Sequence, residues 1–284
     1  MVSTELRTYN AGLAIIHLVL GVGFSMYFAK LNNQYGDAPV QGLELTMREH
    51  HLTIAPGPGV NAPIVGTWSS QLANTLKIKD LQKMLVSFFF ITAAFHLYYY
   101  MTFDGKYSDM INNGNNYMRW VEYSITSSLM LLVIAFLSGV KSKEIFGSIV
   151  ATNIAMIYTG QVIEENVRDG KSWVAPMLVG FMLLISEFMI IIKDFNKRLD
   201  EVNTFARAYP ARANGRTIPS WLRYMIFVLF AFFGCFGFIS VYGAYSGTNF
   251  ENVEKLYLLF SLLAKATLGF FMAYGLGVRQ DRTS

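Results

Sequence analysis

Apolar and polar stretches alternate along the chain on the length scale of a bilayer. A membrane-spanning helix needs roughly 20 mostly apolar residues. Seven segments meet that requirement, at about 9–29, 81–101, 117–139, 145–165, 174–193, 221–245 and 256–277. Most connections are short, which favours antiparallel neighbours in one bundle. The pattern predicts an all-α membrane protein, a seven-transmembrane-helix bundle forming a single domain over residues 1–284.

Three connections interrupt this regularity. Residues 30–80 form a long loop holding TIAPGPGVNAPIVGTW, whose Gly, Pro and β-branched residues suit turns and a short β-hairpin. Residues 102–116, TFDGKYSDMINNGNN, read as a polar loop rich in turn formers. Residues 194–220 are strongly basic and read as a solvated linker facing lipid headgroups. The side carrying the loops 30–80 and 194–220 and the C-terminus holds most of the Lys and Arg. The positive-inside rule makes that side cytoplasmic and the N-terminus external.

Composition agrees with the span count. Of 284 residues, 53% are hydrophobic and only 15% are charged, where a soluble domain carries about 25% charged residues. Mean hydropathy is +0.36. The net charge of +4 is accounted for by basic residues at membrane edges and calls for no nucleic-acid partner. The single cysteine, Cys235, lies in an apolar run, is expected to pack there, and has no partner for an intramolecular disulfide. The N-terminal apolar run lacks a small-residue cleavage site and reads as a first span, not a removed signal peptide. No metal-ligand pattern and no enzymatic motif is expected.

Against this apolar background, two charged residues stand out. Lys265 lies near the middle of the seventh run, at roughly 15 Å of depth, beyond the reach of snorkelling. One reading is a lysine paired with a buried carboxylate for structure, or facing a water-filled cavity. The sharper reading is a Schiff-base lysine, since a desolvated amine condenses with an aldehyde. A positive charge there needs a negative partner. Glu122, in RWVEYSITSS at the start of the third run, is the expected counterion. Thr126 lies one turn above it, on its face. Arg119 lies one turn below and is expected to hold the carboxylate ionised. Trp120 reads equally well as an interface anchor.

RWVEYS with its following serines, together with SLLAKA around Lys265, resembles the heliorhodopsins, seven-helix retinal proteins distantly related to the microbial rhodopsins. The resemblance implies a rhodopsin-like bundle with a hairpin-bearing first loop at a dimer interface. It implies all-trans retinal in the dark, covalently linked to Lys265. It implies that Asn153, Met156 and Gly160 of TNIAMIYTG lie near the ring end of the chromophore. His17 and His96 fall where the family places two polar-cavity histidines, although a lone His on an apolar face more often packs. Phe233, Phe236 and Phe238 are expected beside the polyene. Phe270 stands where the family often has tryptophan. Ser127 and Ser261 are expected to tune the counterion by hydrogen bonding. The family orientation puts the N-terminus in the cytoplasm, opposite to the charge count.

The same comparison separates sensing from pumping. Proton-pumping relatives carry a second carboxylate one turn before the lysine and a proton donor eleven residues after the counterion. Here those positions are Ser261 and Val133. The expectation is a photoreceptor that signals to a further partner instead of pumping. Glu187, within the fifth run, keeps an alternative open. It reads either as a helix-face glutamate reaching Lys193 or the headgroups, or as the acceptor or gate of a light-activated proton transporter. Glu164 and Glu165 read as surface or cavity-mouth residues. A non-photoactive receptor or transporter would leave Lys265 and RWVEY unexplained.

Overall fold

Inside a bilayer every backbone N–H and C=O must find a partner within the protein, which restricts spanning elements here to helices. The structure is a computed structural model that describes residues 2–35, 45–56, 64–76, 78–209, 218, 220–246 and 249–281. Its helices are α1 (Thr4–Tyr35), α2 (Ile78–Met101), α3 (Ser108–Asn112), α4 (Tyr117–Ser138), α5 (Lys143–Arg168), α6 (Val174–Ala208), α7 (Ser220–Ser246) and α8 (Phe250–Asp281). All except the short α3 are long and apolar enough to span, giving seven candidate spans among the described residues. Sequential spans pack side by side, and α1 packs against α8 to close the ring. With 61% of its most apolar window buried, α4 is the most enclosed span. The main core runs through Phe88 and Phe89 of α2, Leu131 and Ile134 of α4, Phe188 of α6, Leu229 of α7 and Leu268 of α8.

The helices outrun the apolar segments that predict them. The largest difference is α6, which continues to Ala208. Residues 194–208 are therefore helix, not linker. NKRLDEVNTFARA contains no Gly or Pro, and Pro210 is the first breaker after it. The remainder of the expected linker, apart from Tyr209, Ile218 and Ser220, lies outside the described residues.

The 102–116 segment is also more ordered than a polar loop. A π-helical turn, Phe103–Tyr107, leads into α3. Phe103, Tyr107, Met110 and Ile111 bury a small second core against Leu6, Leu13, Tyr99 and Leu258. Those four apolar residues recur at helical spacing, and this signal outweighs the turn formers between them. The segment caps the bundle between α2 and α4.

The first loop forms an antiparallel hairpin of β1 (Leu45–Pro56) and β2 (Ile64–Leu76), paired from Leu45 opposite Leu76 to Pro56 opposite Ile64. The Gly57–Pro63 stretch of the expected turn lies outside the described residues. The hairpin docks on the α4–α5 turn. Arg48 N–H donates to the Lys141 carbonyl at 2.7 Å, and Lys143 pairs with Glu49.

That turn depends on Gly139, which ends α4 with φ of 96°. Left-handed backbone costs an L-residue about 1–2 kcal/mol. A Cβ at Gly139 would also stand 2.4 Å from Arg198 Cδ, where α6 crosses the turn. Gly139→Ala is expected to lower stability by about 1–2 kcal/mol in thermal unfolding of the detergent-solubilised protein. Gly147→Ala, in α5 with open space around its Cα, is expected to be neutral or to stabilise by about 0.5–1 kcal/mol.

Candidate functional site

Helical spacing brings polar residues from four spans to one place. On α8, Glu254, Ser261 and Lys265 are separated by seven and four residues, so they share a face. Asn10 and His17 share a face of α1. Thr92, His96 and Tyr99 share a face of α2. On α4, Arg119, Glu122 and Thr126 point inward, and all three are buried.

Lys265 Nζ donates to Glu122 Oε1 at 3.2 Å and to Ser261 Oγ at 2.6 Å. Tyr123 lies beneath the amine, its ring centre 5.3 Å from Nζ. Thr126 is buried as expected, but its hydroxyl donates to the Glu122 backbone carbonyl, closing an intrahelical bond. Glu122 Oε2 has no hydrogen-bond partner.

His17 and His96 stack 5.2 Å apart. Their tautomers follow from their partners. His17 Nδ1 lies 2.9 Å from the Leu13 carbonyl, which can only accept, so Nδ1 carries a proton. The Asn10 amide nitrogen donates to Leu6 O and Tyr107 Oη, which turns its oxygen towards His96 Nδ1 at 2.9 Å. His96 Nδ1 is therefore also a donor. Each neutral imidazole presents a bare Nε2 lone pair, and neither Nε2 has a partner.

Arg119 departs from expectation. It is fully buried and pairs with Glu164 of α5 and Glu254 of α8, not with Glu122. Its guanidinium lies 4.0 Å from the Tyr257 ring centre. Glu164 is an interior ion-pair partner, not a surface residue. It also accepts from Trp120 Nε1 at 2.9 Å and Asn116 N–H at 3.3 Å. Trp120 is thus held inside the bundle, not at the interface. Tyr107 Oη lies 3.3 Å from Glu254 Oε1, and burial raises its phenol above the ordinary value, so it stays protonated.

The remaining expected residues divide by location. Asn153 is buried and donates to Ser127 and Ser128 Oγ, both at 2.8 Å. Ser127 therefore serves Asn153 and the Tyr123 carbonyl, and no bond joins it to Glu122. Phe233 is in the main core, and Met156 packs against it. Phe236 meets Tyr123 edge-on at 5.4 Å. At Gly160 a Cβ would stand 2.5 Å from the Trp120 ring, which places this glycine at the Arg119 end. Phe238 of α7 and Phe270 of α8 are 66% and 60% exposed and project from the bundle; α7 is apolar on every side, which hides the inward face that Phe238 was expected to share. Glu187 is fully buried and neither oxygen has a partner, so it does not reach Lys193 or the headgroups.

Sequence reasoning missed Glu254, Asn10, Tyr107 and Asn116. Glu254 had a signal, since eleven residues separate it from Lys265 on the same helix face. The partners of Arg119 come from two other helices and leave no local pattern.

The interior thus has a polar wall of amine, carboxylate and two imidazoles, and an aromatic wall formed by Tyr123, Phe233 and Phe236. The two Nε2 atoms and Glu122 Oε2 are buried without hydrogen-bond partners, a set that suits a ligand with a polar, amine-reactive end. An apolar aldehyde such as retinal suits that donor set. This is a bundle of the rhodopsin type with a buried lysine at its centre. Residues 6–276 match the heliorhodopsin family, and the chain belongs to it. It is accordingly a multi-pass integral membrane protein that binds retinal and responds to light. Its fold is similar to the crystal structure of a light-driven proton pump from Leptosphaeria maculans, with a TM-score of 0.63, 10% identity and 97% coverage of each chain. No curated protein sequence matches the chain.

Breaking a buried ion pair by removing one partner typically costs about 3–5 kcal/mol. Arg119→Met leaves two carboxylates buried without their cation. It is expected to lower stability by about 3–5 kcal/mol, read as a fall in thermal unfolding midpoint and in the yield of monodisperse protein.

Proposed function

We propose that the protein is a light sensor in which Lys265 is the Schiff-base lysine and Glu122 its sole carboxylate counterion. The observation that carries this reading is the 3.2 Å contact between Lys265 Nζ and Glu122 Oε1 in a fully enclosed interior. Bound retinal, all-trans in the dark, supplies the photochemistry: absorbed light drives isomerisation of its polyene. Glu122 balances the positive charge at Nζ, and Ser261 orients Nζ from one turn away. His17 and His96 offer Nε2 lone pairs that can take a proton without exporting it. Tyr123, Phe233 and Phe236 provide flat apolar surface for a polyene, with Met156, Asn153 and Ser127 further along the interior.

Signalling is favoured over pumping because directional transport needs titratable groups on both sides of the switch. Ser261 cannot carry charge, and Val133 is a core residue. The activity is read as non-enzymatic. A homodimer with a downstream signalling partner, in a lipid bilayer with the N-terminus cytoplasmic, completes the proposal. That orientation follows the family resemblance against the charge distribution.

A second reading is favoured by one observation: both Glu187 oxygens are buried without partners in α6. A carboxyl group held that way can accept or relay a proton, which suits light-gated or light-driven proton transport.

The test is the visible spectrum after addition of all-trans retinal, measured beside Lys265→Ala. A red-shifted band is expected only in the unmutated protein; a band in both, or in neither, sinks the assignment. In Glu122→Gln the positive charge loses its partner, so the visible band is expected to disappear at lower pH than in the unmutated protein. Patch-clamp under illumination separates the two readings. Silence is expected for the sensor, whereas a steady photocurrent lost in Glu187→Gln would establish transport.

A further inference from the structure

Two carboxylates and one guanidinium sit together in the interior, and their charges do not balance. Arg119, Glu164 and Glu254 are all buried. Both carboxylates bond to the same guanidinium. No second cation compensates them among the described residues. Lys255, the nearest basic residue in sequence on α8, pairs outward with Glu251 at 2.9 Å and Glu5 at 3.2 Å. Lys265 is engaged by Glu122. The groups facing the cluster from other elements are neutral: Asn10 from α1, Tyr99 from α2, Tyr107 from the π-turn, and Tyr257 from α8. Glu165 turns aside, accepting from Gln161 at 2.9 Å and Asn115 at 3.4 Å.

A net negative charge isolated in an apolar interior is strongly disfavoured. The α4 N-terminus offsets part of it, because the Asn116 N–H and the helix dipole point at Glu164. That partial charge falls short of a full unit. We propose that this cluster is a buried proton-binding site, separate from the Lys265–Glu122 pair, in which Glu164 and Glu254 share one proton.

The two carboxyl groups are equally well supplied with donors. Glu164 accepts three N–H bonds, from Arg119, Trp120 and the Asn116 backbone. Such a set favours the charged form. Glu254 Oε2 faces Arg119, and Oε1 accepts from Asn116 Nδ2 at 2.8 Å. Oε1 also accepts from the Tyr107 hydroxyl at 3.3 Å, so Glu254 too has three donors. The proton is therefore shared between two carboxyl groups of equal donor count, both bonded to Arg119. From Tyr107 the contacts run to Asn10 Nδ2 at 3.2 Å and from Asn10 Oδ1 to His96 Nδ1 at 2.9 Å. An amide is a poor proton conductor but a rigid orienting link. The protonation of the cluster and the orientation of His96 are thereby coupled, because a turned Asn10 would lose its bonds at both ends.

The test is infrared spectroscopy of the full chain in detergent, with and without retinal, in H2O and D2O at neutral pH. Exposed carboxyl groups are ionised there, so a protonated C=O stretch reports buried acids. Glu187→Gln is used as background, because Glu187 is the other buried carboxyl without a cation. One protonated-carboxyl band is expected to remain in that background, shifting on deuteration. Its absence would overturn the proposal without any change to the cluster. Adding Glu254→Gln is expected to delete the band while the protein stays folded, because glutamine keeps the neutral side chain's shape. Glu164→Gln is expected to delete the band as well, because one carboxylate then balances Arg119; survival of the band in either variant would overturn the proposal. Tyr107→Phe is expected to move the band by removing a donor to Glu254 Oε1; an unmoved band would refute the link to Asn10.

Discussion

Burying charge where water cannot follow is the constraint on which this molecule turns. Every charged group within the bundle must be matched, neutralised or left at a high cost. The chain meets this demand in two adjacent clusters that share two helices. One pairs Lys265 with Glu122, and the other surrounds Arg119 with Glu164 and Glu254. Both use α4 and α8, which fixes the rotation of those helices about their own axes. The position of the reactive amine is therefore set by ion pairing as much as by apolar packing, which is weakly directional in lipid.

The two clusters impose different mechanical properties. Lys265 is held by one carboxylate oxygen and one hydroxyl, with Glu122 Oε2 unpartnered beside it. Arg119 is gripped from two sides by carboxylates and covered by the Tyr257 ring. The amine is held by fewer contacts than the guanidinium. The loosely held pair thus sits against a rigid frame. The histidines lie on the loose side, where their bare Nε2 atoms give a displaced proton somewhere to go within the protein.

Much of this was readable in the sequence, and the unreadable part has a physical pattern. Lys265, Glu122 and Ser261 were legible because each is an expensive or polar residue at helical spacing in an apolar run. The seven spans and the hairpin were legible from hydropathy length and turn chemistry. Glu164 was misread because a carboxylate near a span end normally faces water, and only the three-dimensional position of Arg119 reveals otherwise. Phe238 was misplaced because α7 is apolar on every side and carries no sign of its inward face, whereas Phe270 was expected only from the resemblance and, five residues after Lys265, lies off that residue's face of α8. The α6 extension was misread as linker because charge was given more weight than helix propensity.

Glu187 bears on what such a fold can be turned to. Its carboxyl group has neither cation nor donor among the described residues, so nothing in its surroundings stabilises charge on it. A structural role would be expected to supply at least one hydrogen bond, because an unmet buried polar atom costs about 1–3 kcal/mol. Retaining that cost on α6, outside both charge clusters, is hard to reconcile with packing alone, since leucine or methionine would fill the same space without the penalty. The sensor reading leaves this residue without a role, and the transport reading gives it one. The balance between them therefore rests on whether protons reach α6, a question about connectivity through the interior and not about the Lys265 site itself.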